Sequence, residues 1–138
     1  LQRGANPDAK DTWGPAITQA IRAGYEQLAI KLLERGANPD SKDTWGPALT
    51  QALRCGHKKL MRVLLENNAN PNAIDTWGPV FTQVIRAGDE ELAIDLIERG
   101  AEPNTKDNWG PALSQARRCG LKKVENKLLE CLMTRSKD

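Results

Sequence analysis

Apolar positions across residues 11–42 fall into two short helical stripes separated by a glycine. Ile17, Ala20 and Ile21 stand at i, i+3 and i+4, which is one face of a short helix. Pro15 is expected at the first position of that helix, where a missing N–H costs no hydrogen bond, and Gly24 at its left-handed end. Leu28, Ala29, Leu32 and Leu33 mark the buried stripe of a second helix beginning near Glu26, an acid suited to the positive end of the helix dipole. Gly36 stops that helix, and Ala37-Asn38-Pro39 leads away through a turn. The predicted unit is therefore helix, tight turn, helix, and an extended, turn-rich link.

The same order begins again at Asp43, Asp75 and Asp107. Each unit opens on Asp-x-Trp-Gly-Pro, so Trp13, Trp45, Trp77 and Trp109 are spaced 32 residues apart. A fixed period of this length signals units in a line, each burying its apolar face against its neighbours. The expected fold class is all-α: a solenoid of stacked helix-turn-helix units linked by hairpin-like turns. The repeats are 11–42, 43–74 and 75–106, with 107–138 as a C-terminal capping repeat. Residues 1–10 read as the tail of a preceding repeat, so the chain is expected to be part of a longer one. After Leu129 the Gly-Ala-Asn-Pro element is missing, and Glu130, Cys131 and a polar tail replace it.

Ala20 to Gly24 followed by Leu32-Leu33-Glu34-Arg35-Gly36-Ala37-Asn38, with equivalents in each later unit and the pair Gly56-His57, resembles the ankyrin-repeat family. The resemblance covers nearly all 138 residues. One departure is systematic. The family's Thr-Pro-Leu-His has become Pro15-Ala16-Ile17-Thr18, Pro47-Ala48-Leu49-Thr50, Pro79-Val80-Phe81-Thr82 and Pro111-Ala112-Leu113-Ser114. A hydroxyl thus replaces a histidine that, in similar proteins, ties adjacent repeats; it can still donate and accept there.

Composition and charge narrow the function. Apolar content is 39%, with one Phe and one Tyr, which suits thin helical layers. No apolar run is long enough to cross a bilayer, no cleavable signal stands at Leu1, and direct membrane insertion is not expected. Cys55, Cys119 and Cys131 are an odd set without paired spacing, so they read as reduced core or groove residues in a cytoplasmic or nuclear protein. With a single histidine they make no zinc site. The four repeats carry net charges of 0, +2, −4 and +3. Asp89, Glu90, Glu91, Asp95 and Glu98 of the third would lie between Lys58, Lys59, Arg62 of the second and Lys122, Lys123, Lys127 of the fourth. This alternation reads as complementarity that fixes stacking order, and the acidic repeat interrupts any basic track that nucleic acid would follow.

Candidate contacts follow from the repeat. In proteins similar to this one, partners dock on the concave side, at hairpin tips and first helices. Those positions are Trp13, Trp45, Trp77 and Trp109 at the tips, with Arg22, Arg54, Arg86 and Arg118 at the helix ends. Trp and Arg are the types enriched at binding hot spots. The alternative role for each tryptophan is a brace that packs over the neighbouring proline, since four exposed aromatics invite aggregation. Gln19, Gln51, Gln83 and Gln115 are expected to line the groove or join helices by hydrogen bonds. Asp11, Asp43, Asp75 and Asp107 are expected to accept local backbone bonds at turns. No nucleophile–base pair, phosphate loop, cofactor motif or metal cluster is present, and nothing nearby is expected to orient His57 as a base. The expected function is a non-catalytic module that binds a protein or peptide, acidic or extended in character given the arginines. The alternative is a targeting or tethering region of a larger enzyme or membrane channel.

Overall fold

The polar link between helix pairs folds into a hairpin with a two-residue tip. In the computed structural model, which describes Asp8 and residues 10–136, β1 (Lys10–Asp11) pairs antiparallel with β2 (Gly14–Pro15), Lys10 opposite Pro15 and Asp11 opposite Gly14. Most of the 1–10 segment lies outside the described residues. Pro15 belongs to this strand and is not the first helical residue: its φ of −61° is that of any proline, but its ψ of 148° is extended, and it serves as the N-cap of α1 (Ala16–Ala23). The Thr18 hydroxyl then donates to the Pro15 carbonyl at 3.0 Å, closing the first turn.

The chain divides into two compact units, Leu1–Asp75 and Thr76–Asp138. In the first, α1 packs on α2 (Glu26–Glu34). A second hairpin, β3 (Lys42–Asp43) with β4 (Gly46–Pro47), leads to α3 (Ala48–Arg54) and α4 (Lys58–Glu66), and β5 (Ile74–Asp75) ends the unit. First helix stacks on first helix and second on second, α1 on α3 and α2 on α4. The second unit repeats the plan. It runs from β6 (Gly78–Pro79) through α5 (Val80–Arg86) and α6 (Glu90–Glu98) to the hairpin of β7 (Lys106–Asp107) with β8 (Gly110–Pro111), then α7 (Ala112–Arg118) and α8 (Lys122–Ser136). Here α5 stacks on α7 and α6 on α8. The architecture is all-α, built from stacked helix pairs.

Burial follows the predicted stripes with one shift. Ile17, Ile21, Leu32 and Leu33 are sealed, as are Leu49, Leu60, Met61, Leu64 and Leu65 beside them in the first unit. Leu28 is 39% exposed, while Ile30 is 8% exposed and takes its place. Ala29, Leu32 and Leu33 set the centre of the buried arc; Ile30 lies three residues before Leu33, and Leu28 falls at the edge. In the second unit Phe81, Val84, Ile85, Leu92, Leu96, Val124 and Leu128 form the interior.

Left-handed residues end the helices, as their glycines predict. Gly24 has φ +86°, and the following N–H of Tyr25 reaches back to the Ala20 carbonyl at 2.9 Å. In the second repeat Asn68 takes this role at φ 69°, a conformation asparagine tolerates better than other L-residues. The links are tied to one another as well: Asp8 Oδ1 accepts the Asn38 N–H at 2.6 Å and Asp40 Oδ1 accepts the Asn70 N–H at 2.7 Å. Where Gly-Ala-Asn-Pro is missing, α8 continues for 15 residues against 9 in α2.

Candidate functional site

The hairpin tips concentrate the recurring polar residues, and one tip can be built atom by atom. In Asp43-Thr44-Trp45-Gly46, Asp43 Oδ1 accepts the Trp45 N–H at 2.8 Å, an Asx-type closure of the turn. The same oxygen accepts from Gln51 Nε2 at 2.9 Å, and Gln51 Nε2 also donates to the Gly46 carbonyl at 2.7 Å. Asp43 Oδ2 is taken by Arg22 Nη1 from the preceding repeat, and that guanidinium donates further to Gln51 Oε1 at 3.3 Å and to the Trp13 carbonyl at 2.9 Å. One arginine therefore fastens its own tip to the next.

The second unit has the same arrangement around Asp107. Its oxygens accept from Trp109 N–H at 2.8 Å, Gln115 Nε2 at 2.9 Å and Arg86 Nη1, and Arg86 also donates to Gln115 Oε1 at 3.0 Å. The Arg86 guanidinium lies 5.9 Å from the Trp109 ring centroid, within cation–π range. Burial works against the Asp107 carboxylate, but hydrogen bonds from Thr82, Arg86 and the Trp109 N–H, with the Arg86 charge, outweigh it. Its pKa therefore lies below the ordinary 3.8. The Thr82 hydroxyl has one proton to give, and the Pro79 carbonyl at 3.0 Å competes for it.

Glycine is required at Gly14, Gly46 and Gly78 for two reasons. Gly78 has φ +109°, and a Cβ placed on it would come within 3.1 Å of Asp107 Cβ. Gly78→Ala should accordingly cost about 1–2 kcal/mol through backbone strain and displacement of that aspartate, read as a lowered urea midpoint.

The sequence-predicted contact residues separate into two kinds. Trp13 and Trp45 in the first unit, and Trp77 and Trp109 in the second, are 63–73% exposed. The arginines are instead engaged within the chain: Arg22 with Asp43, Arg54 with Asp75 at 3.3 Å and with the Trp45 carbonyl, and Arg86 with Asp107. Arg118 donates to the Trp109 carbonyl at 2.6 Å. The glutamines bond their own hairpins, Gln19, Gln83 and Gln115 reaching the carbonyls of Gly14, Gly78 and Gly110, and Gln51 and Gln115 also join helices by accepting from Arg22 and Arg86. The aspartates do more than close turns, since their second oxygen takes an arginine 21 residues upstream. The fixed spacing of Arg22, Arg54 and Arg86 from Asp43, Asp75 and Asp107 was the available signal. Asp11 lies outside the residues whose side chains are described.

Other expectations shift in detail. Cys55 and Cys119 are exposed, at the C-caps of α3 and α7, so they are not core residues. Glu26 Oε2 stands 3.4 Å from His57 Nδ1, an orienting carboxylate invisible at sequence spacing. His57 Nε2 is buried and meets no hydrogen-bond partner among the described residues. Among the described residues no group of three or more His, Cys, Asp or Glu could hold a metal, and no helix is long and apolar enough to cross a membrane.

A family model described as ankyrin repeats (3 copies) matches residues 1–75 and 17–107. The chain belongs to the ankyrin-repeat family. A search of curated proteins gives no match. Within this ankyrin-repeat chain, the hydroxyls of Thr18, Thr50 and Thr82 are fully buried and donate to Pro15, Pro47 and Pro79 carbonyls. Arginine and aspartate carry the tie between repeats. The outer helices add complementary charge in the second unit, where Lys127 Nζ lies 3.8 Å from Glu98 Oε1 and Glu90 Oε2 accepts the Lys123 N–H at 2.9 Å.

Proposed function

We propose that the chain is a non-catalytic protein-interaction module, an array of four variant 32-residue ankyrin repeats (11–42, 43–74, 75–106, 107–138) after the tail of another. It takes a partner protein or peptide on the side that carries the tips and first helices, the concave side in similar arrays. The observation that carries this reading is the exposed tryptophans on anchored backbones. At Trp45 the N–H is held by Asp43 and the carbonyl by Arg54, while the indole is 63% exposed. A large ring on a preset backbone loses little entropy on binding and supplies much contact area.

Charge supports an acidic partner. Between Lys42 and Gly56 the one acid is Asp43, and between Lys106 and Gly120 it is Asp107, and both side chains are only 6% exposed. The exposed ammonium groups of Lys42 and Lys106 stand beside the indoles in sequence with no accessible acid in the same segment. Three free cysteines suit a reducing cytoplasmic or nuclear setting.

The test is comparative affinity purification from source cells with wild type and the Trp45→Ala, Trp109→Ala double variant. Neither ring is needed for folding, so circular dichroism should be unchanged. Partner recovery should fall at least about tenfold, the ordinary size of a hot-spot loss. Identical recovered proteins from both baits would remove the tips from the interface.

A further inference from the structure

Three arginine–aspartate ties in the chain use one cradle. Gly14 and Arg22 receive Asp43; Gly46 and Arg54 receive Asp75; Gly78, Thr82 and Arg86 receive Asp107, with Thr18 and Thr50 at the positions equivalent to Thr82. A Cβ placed on each glycine would stand 2.9, 3.0 and 3.1 Å from the aspartate Cβ, so the acid lies directly over the glycine. Arginine Nη1 meets Oδ2 in all three. The captured carboxylates are 6%, 1% and 6% exposed.

Gly110, Ser114 and Arg118 form the same set at the same spacing. Gly110 has φ +108°, matching Gly46 at +112° and Gly78 at +109°. Arg118 Nη2 holds the Trp109 carbonyl as Arg22 and Arg54 hold theirs, so the guanidinium is oriented in advance. Above Gly110, among the described residues, only Arg118 Nη2 lies within 4 Å of a Cβ position, at 4.0 Å. Among the described residues Arg118 meets no carboxylate; it is exposed, and Ser114 is half-buried where Thr82 is sealed. Among the described residues after α7 no aspartate reaches this place, and α8 runs on to Ser136 where other repeats turn back into a hairpin.

We propose that Gly110, Ser114 and Arg118 form a carboxylate subsite that takes an Asp side chain of an acidic partner segment. Arg118 supplies a charge-assisted donor, Ser114 a hydroxyl, and the glycine floor admits a short side chain at close range. Asp107 in its own cradle, two helices earlier in sequence, is the template for that geometry. The indole of Trp109, next to the subsite in sequence, would meet whatever apolar residue flanks the acid. The inference rests on the tips being the docking side, and it adds the chemistry of one contact.

The test titrates the full 15N-labelled chain with an acetylated, amidated Lys-Asp-Thr-Trp-Gly-Pro peptide, a copy of residues 42–47, which fill the first cradle. Saturable amide shifts at Gly110, Ser114 and Arg118 are expected. An Asp→Asn peptide, or Arg118→Gln in the protein, should weaken binding about tenfold or more, the loss of one charge-assisted pair. Ser114→Ala should weaken it about threefold, with circular dichroism unchanged in both variants. Equal shifts from the Asn peptide, or shifts confined to other residues, would overturn the subsite. So would tighter saturation of the same residues by an oligothymidylate, or dimerisation of the protein alone that Arg118→Gln abolishes. If the peptide fails while the tryptophan-dependent capture persists, the subsite falls and the docking side stands.

Discussion

Phe81→Ala should lower stability by about 3–5 kcal/mol, the cost of truncating a buried aromatic in a close-packed interior. Phe81 is 1% exposed and is the largest fully buried side chain. It sits on α5, which packs against both α6 and α7, so a cavity there weakens two contacts of the second unit at once. Collapse around the gap is restricted, since its interior neighbours in sequence order, Val84 and Ile85, are already sealed. Phe81→Leu should cost much less, about 1–2 kcal/mol, because the equivalent positions carry Ile17, Leu49 and Leu113 on the same backbone. Urea unfolding measures the total, and amide hydrogen exchange in α5, α6 and α7 locates it. In a repeat chain stability is a sum of local terms, so the loss should be greatest in those helices. A Phe81→Ala protein with an unchanged midpoint would mean that the second unit is not packed through this ring.

The helices were legible because two local signals agree: a stripe at helical spacing and a glycine where the stripe stops. Leu28 shows the limit of that reading, since spacing admits either Leu28 or Ile30 and only packing against the next helix pair decides. Pro15 was misplaced by one position for a similar reason. Its φ suits a first helical turn or an extended strand equally, and pairing with Lys10 selects the strand. The tryptophans were legible as tip residues but not as exposed ones, because exposure depends on what lies across the hairpin. The ties of Arg22, Arg54 and Arg86 to Asp43, Asp75 and Asp107 are not legible in residue type alone. The partners stand 21 residues away, and the tie emerges only once consecutive hairpins are side by side. Residue type alone favours a hot spot at such a position; the buried acid opposite makes it a clamp.

Asp107→Ala should cost about 2–3 kcal/mol at pH 7, because it leaves the Arg86 guanidinium and the Gln115 amide without their shared acceptor. The loss should depend on acid in a set direction. The folded pKa of Asp107 is depressed below 3.8, so the unfolded chain takes up the proton first as pH falls. The stabilisation is therefore complete above the ordinary carboxylate range and fades as pH drops through the lower folded value. Wild type and Asp107→Ala should differ most near pH 7 and converge only as pH falls through the depressed folded pKa of Asp107, where protonation weakens the wild-type clamp too. Asp107→Asn should keep the side-chain shape and an acceptor for Trp109 N–H, recover part of the stability, and flatten the acid limb. Urea midpoints at a series of pH values read all three. The tip links the same measurement to binding: the Arg86 guanidinium stands 5.9 Å from the Trp109 ring, so releasing it frees an indole that the clamp now orients. Trp109 fluorescence, in a chain with the other three tryptophans replaced by phenylalanine, should change over the acid range in which the stabilisation disappears. A fluorescence signal flat across that range, with stability still falling, would place the acid sensitivity elsewhere and leave the tip a rigid mount independent of its aspartate.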